Sequence, residues 1–290
     1  MSDWKKVRDM PPLDDEERRV LVDSGTEEAG TGKYVDFFED GIYVCRQCGA
    51  PLYRSDDKFE TSCGWPGFDD EITGAVDMRQ DPNPERPWTE ILCANCRGHL
   101  GHVFEGEGFT PKNIRHCVNS LSIAHVATES ALLAGGCFWG VEEIFRQLEG
   151  VILTEVGYAG GSAVNPKYEE VKRGKTGHAE VAKIGFDPAV IDYAGILRIF
   201  FEIHDPTQKD RQGEDVGHQY RSAVFYYDDR QRLIAEATIS QLKAKGIDAV
   251  TEIVPFVNFY PAEDYHQKYF EKNQDKLSMS CHIRRKIDWD

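Results

Sequence analysis

Long apolar runs are missing from this sequence: no stretch of its 290 residues is long enough to span a bilayer. The opening residues, Met1-Ser2-Asp3-Trp4-Lys5-Lys6-Val7-Arg8-Asp9, hold no apolar h-region. No signal peptide is expected, and a cytoplasmic location is the default. Basic charge is scarce too. The formal net charge is −16; up to Ala127, 14 Lys+Arg stand against 24 Asp+Glu, giving −10, and the remainder has 20 against 26, giving −6. Two acidic halves argue against nucleic acid or an anionic membrane as a partner. Internal repeats and low-complexity tracts are also lacking. The length suits two ordinary domains, and 40% hydrophobic with 29% charged residues is a normal globular balance.

Cysteine, by contrast, is plentiful, with eight residues. Four form two pairs with the same inner spacing, Cys45-Arg46-Gln47-Cys48 and Cys93-Ala94-Asn95-Cys96. Each pair follows a strand-like run and leads into a turn, with Gly49 and Gly98 nearby. Four thiolates from two such knuckles make a closed tetrahedral Zn²⁺ site, which is structural because no coordination position stays open. It would staple a small core across the long excursion between the knuckles. The other use of such pairs is as redox dithiols.

The other four cysteines stand alone. Cys137 lies in Gly135-Gly136-Cys137-Phe138-Trp139-Gly140, after the apolar run Ala131-Leu132-Leu133-Ala134 and before a helical pattern of Val141, Ile144, Phe145 and Leu148. That places its sulfur at a strand-to-helix corner. Free N–H groups and the helix dipole there favour a thiolate. Phe138 and Trp139 add an apolar wall. Cys117 is flanked by Arg115 and His116, cations that lower a thiol pKa. On a strand, Arg115, Cys117 and Asn119 share one face. His99 and His102 are close enough to converge as proton donors, or to serve as ordinary packing or zinc ligands. The plain alternative for each lone cysteine is a buried structural thiol.

The chain divides by pattern. Residues 1–30 read as an extension with one short helix at 14–22. Residues 31–126 are short β-like runs broken by turns, including 43–45, 52–53, 75–78, 88–92 and 117–119, with Asp40-Gly41 as a hairpin turn. Residues 127–130 read as a linker. From 131 to 290 strands (131–135, 151–158, 178–186, 222–227, 249–256) alternate with helices (139–149, 191–203, 229–245, 262–273). The expected fold is a zinc-stapled, mostly antiparallel β domain followed by an α+β sandwich of the split-βαβ, ferredoxin-like kind.

Two resemblances follow. The knuckles, Ser62-Cys63-Gly64-Trp65-Pro66-Gly67-Phe68, His99-Leu100-Gly101-His102-Val103-Phe104 and Arg115-His116-Cys117-Val118-Asn119-Ser120 together resemble the B-type methionine sulfoxide reductases over residues 30–126. The Cys137 motif resembles the A-type family. So do Gly157-Tyr158-Ala159-Gly160-Gly161, Asn165-Pro166-Lys167-Tyr168, Gly177-His178-Ala179-Glu180-Val181, His204-Asp205-Pro206-Thr207-Gln208 and Asp215-Val216-Gly217-His218-Gln219-Tyr220-Arg221-Ser222, over residues 131–282.

The first resemblance implies two antiparallel sheets, a four-cysteine zinc site, Cys117 as nucleophile and Cys63 as resolving thiol. It makes Trp65 the wall around the substrate methyl. His99, His102 and Asn119 would bind and protonate the oxide oxygen, supported by Arg115. The second implies Cys137 as nucleophile, Glu180 as the acid, Tyr168 and Tyr220 as oxide ligands and Asp215 as an orienting group. Phe138 and Trp139 would hold the methyl, and Cys281, near the C-terminus, would resolve.

The chemistry is common to both. A thiolate attacks the sulfoxide sulfur while an acid protonates the oxygen; methionine leaves and a sulfenic acid stays behind. A second thiol closes a disulfide, and an external dithiol, by resemblance thioredoxin, reopens it. No organic cofactor is needed. The sulfoxide sulfur is a stereocentre, so two sites serve two epimers: R in the first domain and S in the second by resemblance. The runners-up are a thiol peroxidase or disulfide oxidoreductase, and a zinc-dependent binding module.

Overall fold

The computed structural model describes Val7, residues 9–273 and residues 284–289. The chain divides after Thr128 into two compact units. In the first, helix α1 (Asp15–Leu21) begins with Asp14 as N-cap in a reciprocal bond pair with Glu17 and buries Val20 and Leu21. Nine strands follow: β1 (Gly41–Cys45), β2 (Pro51–Arg54), β3 (Lys58–Phe59), β4 (Gly67–Phe68), β5 (Val76–Gln80), β6 (Thr89–Cys93), β7 (His99–Glu105), β8 (Ile114–Val118) and β9 (Ile123–Ala127). They form two antiparallel sheets, ordered β2-β1-β9 and β3-β4-β8-β7-β6-β5. Tyr43, Tyr53, Phe68 and Leu100 are fully buried in this unit. Tyr53 and Phe68 stack with ring centroids 4.4 Å apart.

Gly41 opens β1 and the described chain before it is not a strand, so Asp40-Gly41 is no hairpin turn. β7 and β9 lie where the sequence offers no plain alternation. β7 keeps its histidines inside because β6 and the loop after β5 supply carboxylates to meet them. The extension is tied in as well: Glu27 is buried between the loops that follow.

The second unit holds β10 (Glu129–Gly135), α2 (Phe138–Arg146), β11 (Val151–Ala159), α3 (Tyr168–Lys172), β12 (Ala179–Phe186), α4 (Tyr193–Ile203), β13 (Arg211–Gln212), β14 (Asp215–Val216), β15 (Ser222–Tyr226), α5 (Asp229–Ala244), β16 (Glu252–Pro255), β17 (Phe259–Pro261) and α6 (Tyr269–Lys272). Glu129 and Ser130 therefore belong to a strand. Six strands make one sheet, ordered β16-β15-β10-β12-β11-β17, in which only β15 and β16 run parallel. Ala131, Leu133 and Val156 of the sheet pack with Val141 and Phe145 of α2, and with Ile196, Leu197 and Phe200 of α4. This covers one face of the sheet with helices.

The helix expected over 262–273 is a correction. Only Tyr269–Lys272 is helical there. The preceding turns are held by side chains bonded to distant elements: Gln267 donates to the Val156 and Ala262 carbonyls at 2.8 and 2.9 Å and accepts from the Val156 N–H at 2.9 Å.

Candidate active sites and a candidate metal centre

The knuckles are built alike. Cys45 ends β1 and Cys93 ends β6. The residue four positions later donates back to each carbonyl, Gly49 at 2.8 Å and Arg97 at 2.9 Å. Both take a left-handed conformation, with φ of +72° and +66°. Glycine does so without cost; Arg97 does so in spite of its Cβ. The turns bring the four sulfurs within 4.8 Å of one another. Cys45 Sγ lies 3.6 Å from Cys96 Sγ, and Cys48 Sγ 3.7 Å from Cys93 Sγ. A tetrahedron with Zn–S bonds of about 2.3 Å has edges of about 3.8 Å, so the donor set fits zinc.

Cys117 sits on β8, directly opposite His102 of β7 on one side and Gly67 of β4 on the other. Its sulfur is 3.7 Å from that of Cys63. Cys63 lies in the arc between β3 and β4, where the Thr61 hydroxyl is 3.1 Å from the thiol and donates to the Trp65 carbonyl at 2.9 Å. Either sulfur can donate to the other. Their mutual hydrogen bond holds the Cys63 thiol down to about 5 and, with burial, pushes Cys117 up. Arg115 favours the thiolate at both positions, but for Cys117 it is outweighed. The expected lowering of Cys117 by a cationic neighbour is present from Arg115 but is opposed by the contact with Cys63 and by burial.

Arg115 is held by a bidentate bond to Glu107, at 2.7 and 2.9 Å, with its guanidinium 4.5 Å over the Phe104 ring. His99 Nδ1 donates to Glu90 at 2.7 Å, and burial holds the ring below the usual imidazole range. Its Nε2 is buried with no protein partner. His102 Nε2 bonds Asp81 at 2.7 Å, and the two imidazoles lie 5.4 Å apart. The half-buried Trp65 likewise has a buried, unpartnered indole N–H. Asn119 is placed differently from the other residues of this group. Its amide donates to the Leu100 carbonyl at 3.1 Å and accepts the Glu27 N–H at 3.0 Å, so its bonds are largely spent within the protein.

In the second unit Cys137 is the N-cap of α2, following Gly136 at φ +96°. The strand-to-helix corner read from the sequence is there. The Phe138 N–H donates to Glu180 at 3.3 Å. Glu180, on β12, is 2% exposed, and burial pushes its carboxyl up to about 8, with Asp215 adding to the effect. At neutral pH it carries a proton. Burial likewise pushes Tyr168 up to about 12 and raises Tyr220, and Glu180 and Cys137, once ionised, add to both effects. Tyr168 and Tyr220 thus lie within electrostatic reach of Cys137, and Glu180 bonds the backbone beside it. Trp139 is half-buried and stacks on Tyr269 with centroids 3.7 Å apart and planes 5° from parallel. Phe138 is 1% exposed and packs into the core, with Tyr158 6.0 Å and His266 5.1 Å away. Cys281 lies outside the described residues.

Sequence reasoning missed the arm after β17. His266 Nδ1 accepts the Trp139 indole N–H at 3.0 Å and its ring lies 4.5 Å from Tyr168. Glu263 accepts from the Tyr158 hydroxyl at 3.0 Å and the Tyr168 N–H at 3.1 Å. Glu142, one turn into α2, is buried and accepts from the Lys268 N–H at 2.8 Å. The buried Glu142 after Gly-Cys-Phe-Trp-Gly was a readable signal, since a buried carboxylate needs a partner. The arm itself carried none.

A family model described as SelR domain matches residues 13–127. Among curated proteins, the peptide methionine sulfoxide reductase MsrA of Methanosarcina mazei is 54% identical over 147 residues, 50% of this chain and 70% of that protein. That of Sulfolobus acidocaldarius is 52% identical over 148 residues, 51% of this chain and 84% of that protein. The structure of reduced Mxr1 from Saccharomyces cerevisiae, 35% identical, superposes with a TM-score of 0.53 over 55% of this chain and 93% of its own. No helix among the described residues is long and apolar enough to cross a membrane. The family model described as peptide methionine sulfoxide reductase matches residues 129–289, more than half of the sequence, and the chain belongs to that family.

Proposed function

We propose that the chain carries two independent methionine sulfoxide reductase sites, one in each unit. In the first, Cys117 attacks the sulfoxide sulfur and Cys63 resolves the sulfenic acid. His99 and His102 bind and protonate the oxide, and Arg115 steadies the negative sulfur. Trp65 lines the methyl notch, and Asn119 shapes the loop. In the second, Cys137 attacks, protonated Glu180 delivers the proton, Tyr168 and Tyr220 bond the oxygen, and Asp215 orients them. Trp139 takes the methyl, Phe138 backs it, and Cys281 resolves.

What supports the reading is that Cys117 lies opposite His102 with its sulfur 3.7 Å from that of Cys63, and that Cys137 caps α2 beside the Phe138 N–H bonded to the buried Glu180 carboxyl. A sulfenic acid and then a disulfide account for two electrons: sulfoxide plus two thiols gives sulfide, disulfide and water. A thioredoxin-like dithiol closes the cycle. The first unit takes the R epimer and the second the S epimer. Zn²⁺ held by Cys45, Cys48, Cys93 and Cys96 braces the first unit and takes no part in the chemistry. The sheet order β15-β10-β12-β11, with two helical crossings, favours a split-βαβ, ferredoxin-like reading of the second unit. Residues to 128 and from 129 are taken as the two catalytic domains, and free thiols at the seven described cysteines suit a cytoplasmic setting.

The test is a single turnover of the reduced chain without reductant. Racemic methionine sulfoxide should yield about two equivalents of methionine per chain, one for each thiol pair. Rapid consumption of peroxide with no methionine from the sulfoxide would favour a thiol peroxidase instead.

A further inference from the structure

The segment that the sequence presents as a peripheral extension runs between the two cysteine-bearing loops of the first unit and touches both. On one side, Glu27 is 5% exposed, and its carboxylate accepts the Ser120 N–H at 2.6 Å and the Leu121 N–H at 3.0 Å. These are the first N–H groups of the short helical turn that follows Cys117-Val118-Asn119. The Glu27 N–H donates to Asn119 at 3.0 Å. On the other side, three residues on, the Gly30 N–H donates to the Gly64 carbonyl at 2.8 Å, next to Cys63. Burial pushes the Glu27 carboxyl up, while the Ser120 and Leu121 bonds favour its ionised form. A buried carboxylate is costly, and here it is spent on backbone placement.

From this bridging geometry we propose that Glu27 is a positioning residue for the disulfide-forming step: residues 27–30 act as a strap that keeps the Cys63 and Cys117 sulfurs in register. The proposal rests on Cys117 as attacking and Cys63 as resolving thiol. Attack on the substrate leaves Cys117 as S–OH. The Cys63 thiolate then attacks that sulfur, a sulfur–sulfur bond forms, the sulfur–oxygen bond breaks, and hydroxide leaves with a proton as water. Strand pairing from Gly67 to Cys117 and the bond from the Val118 N–H to Pro66, 3.0 Å, fix the far end of the Cys63 arc. Cys63-Gly64 lies at its open end, where the strap holds it. Glu27 touches neither sulfur, so its loss should spare the first step and slow the second. Misplacement of reacting atoms by about 1 Å costs on the order of 100-fold.

The test uses the full chain carrying Cys137→Ser, so that only the first unit reacts, with methionine sulfoxide as the oxidant. One measurement is methionine released in a single turnover. The other is the lifetime of the sulfenic acid, trapped with a 1,3-dicarbonyl reagent and located by mass. Glu27→Gln keeps the shape but faces an N–H with an NH₂. It should release methionine within about twofold of its parent, close the disulfide roughly 10- to 100-fold more slowly, and become trapped at Cys117. Glu27→Asp, still anionic, should recover part of the rate. Gly64→Ala approaches from the opposite side: at φ +89° its Cβ would meet Ala29 at 2.9 Å, and the same split between steps is expected. Unchanged disulfide closure in folded Glu27→Gln overturns the proposal, as does an equal slowing of both steps. Cys63→Ser is the reference. It must hold the sulfenic acid; if it still closes a disulfide, the assignment of Cys63 has failed and not the strap.

Discussion

The two proposed sites answer one chemical demand with different proton donors. In the first unit the proposed acids are imidazoles kept inside by carboxylates, His99 with Glu90 and His102 with Asp81, and the second sulfur is already 3.7 Å from the first. In the second unit the proposed acid is a single buried carboxyl, Glu180, pushed up to about 8 mainly by loss of water. The first site spends its architecture on bringing two thiols together. The second spends it on keeping one proton in place at neutral pH. A sulfoxide needs a nucleophile and a proton at once, and burial or partner placement can each meet that need.

The largest way to break this comparison is to remove the second unit's acid. Glu180→Gln should lower sulfoxide reduction at Cys137 by roughly 10²- to 10⁴-fold, with turnover at Cys117 unchanged in the same chain. Equal losses at both sites would show that they are not independent.

Next comes the metal. Cys93→Ser, or removal of metal by a chelator, should lower the melting midpoint of the first unit by roughly 20 °C or more, given a loss of several kcal/mol. The transition of the second unit should stay in place in differential scanning calorimetry.

The pH profile sharpens the contrast. Glu180 has its pKa raised on folding, so its proton is present at neutral pH and lost as pH rises through about 8. Reduction at Cys137 should fall over that range. The same sign applies to stability. The contribution is full below the ordinary carboxyl pKa and declines up to about 8, so Glu180→Gln should be the more stable protein at pH 9. Reduction at Cys117 should show no inflection from a carboxyl near 8.

The smallest effect concerns the arm. His266 accepts the Trp139 indole N–H and leaves Trp139 stacked on Tyr269. His266→Ala should raise KM at the second site about three- to tenfold, an energy of about one hydrogen bond, with kcat less affected.

Much of the second unit was legible because its strands and helices carry their own periodicity. The runs at 131–135, 151–158 and 178–186 emerge as β10, β11 and β12 within two residues. The arm after β17 was read as a helix from local spacing, yet its residues are spoken for by Trp139, Val156 and Tyr158, more than 100 positions away. Local pattern holds no trace of such partners. In the first unit β7 was hidden for the same reason: the partners of His99 and His102, Glu90 and Asp81, come from elsewhere on the sheet. The knuckles were readable because ligand spacing is a covalent fact. The contact between Cys117 and Cys63 was not, since the two sulfurs are 54 residues apart in sequence.

The account stands most directly on a single-turnover assay of each separated sulfoxide epimer with Cys117→Ser and Cys137→Ser in the full chain. Cys117→Ser should lose the R epimer and keep the S, and Cys137→Ser the reverse. Loss of both epimers from either substitution would contradict it.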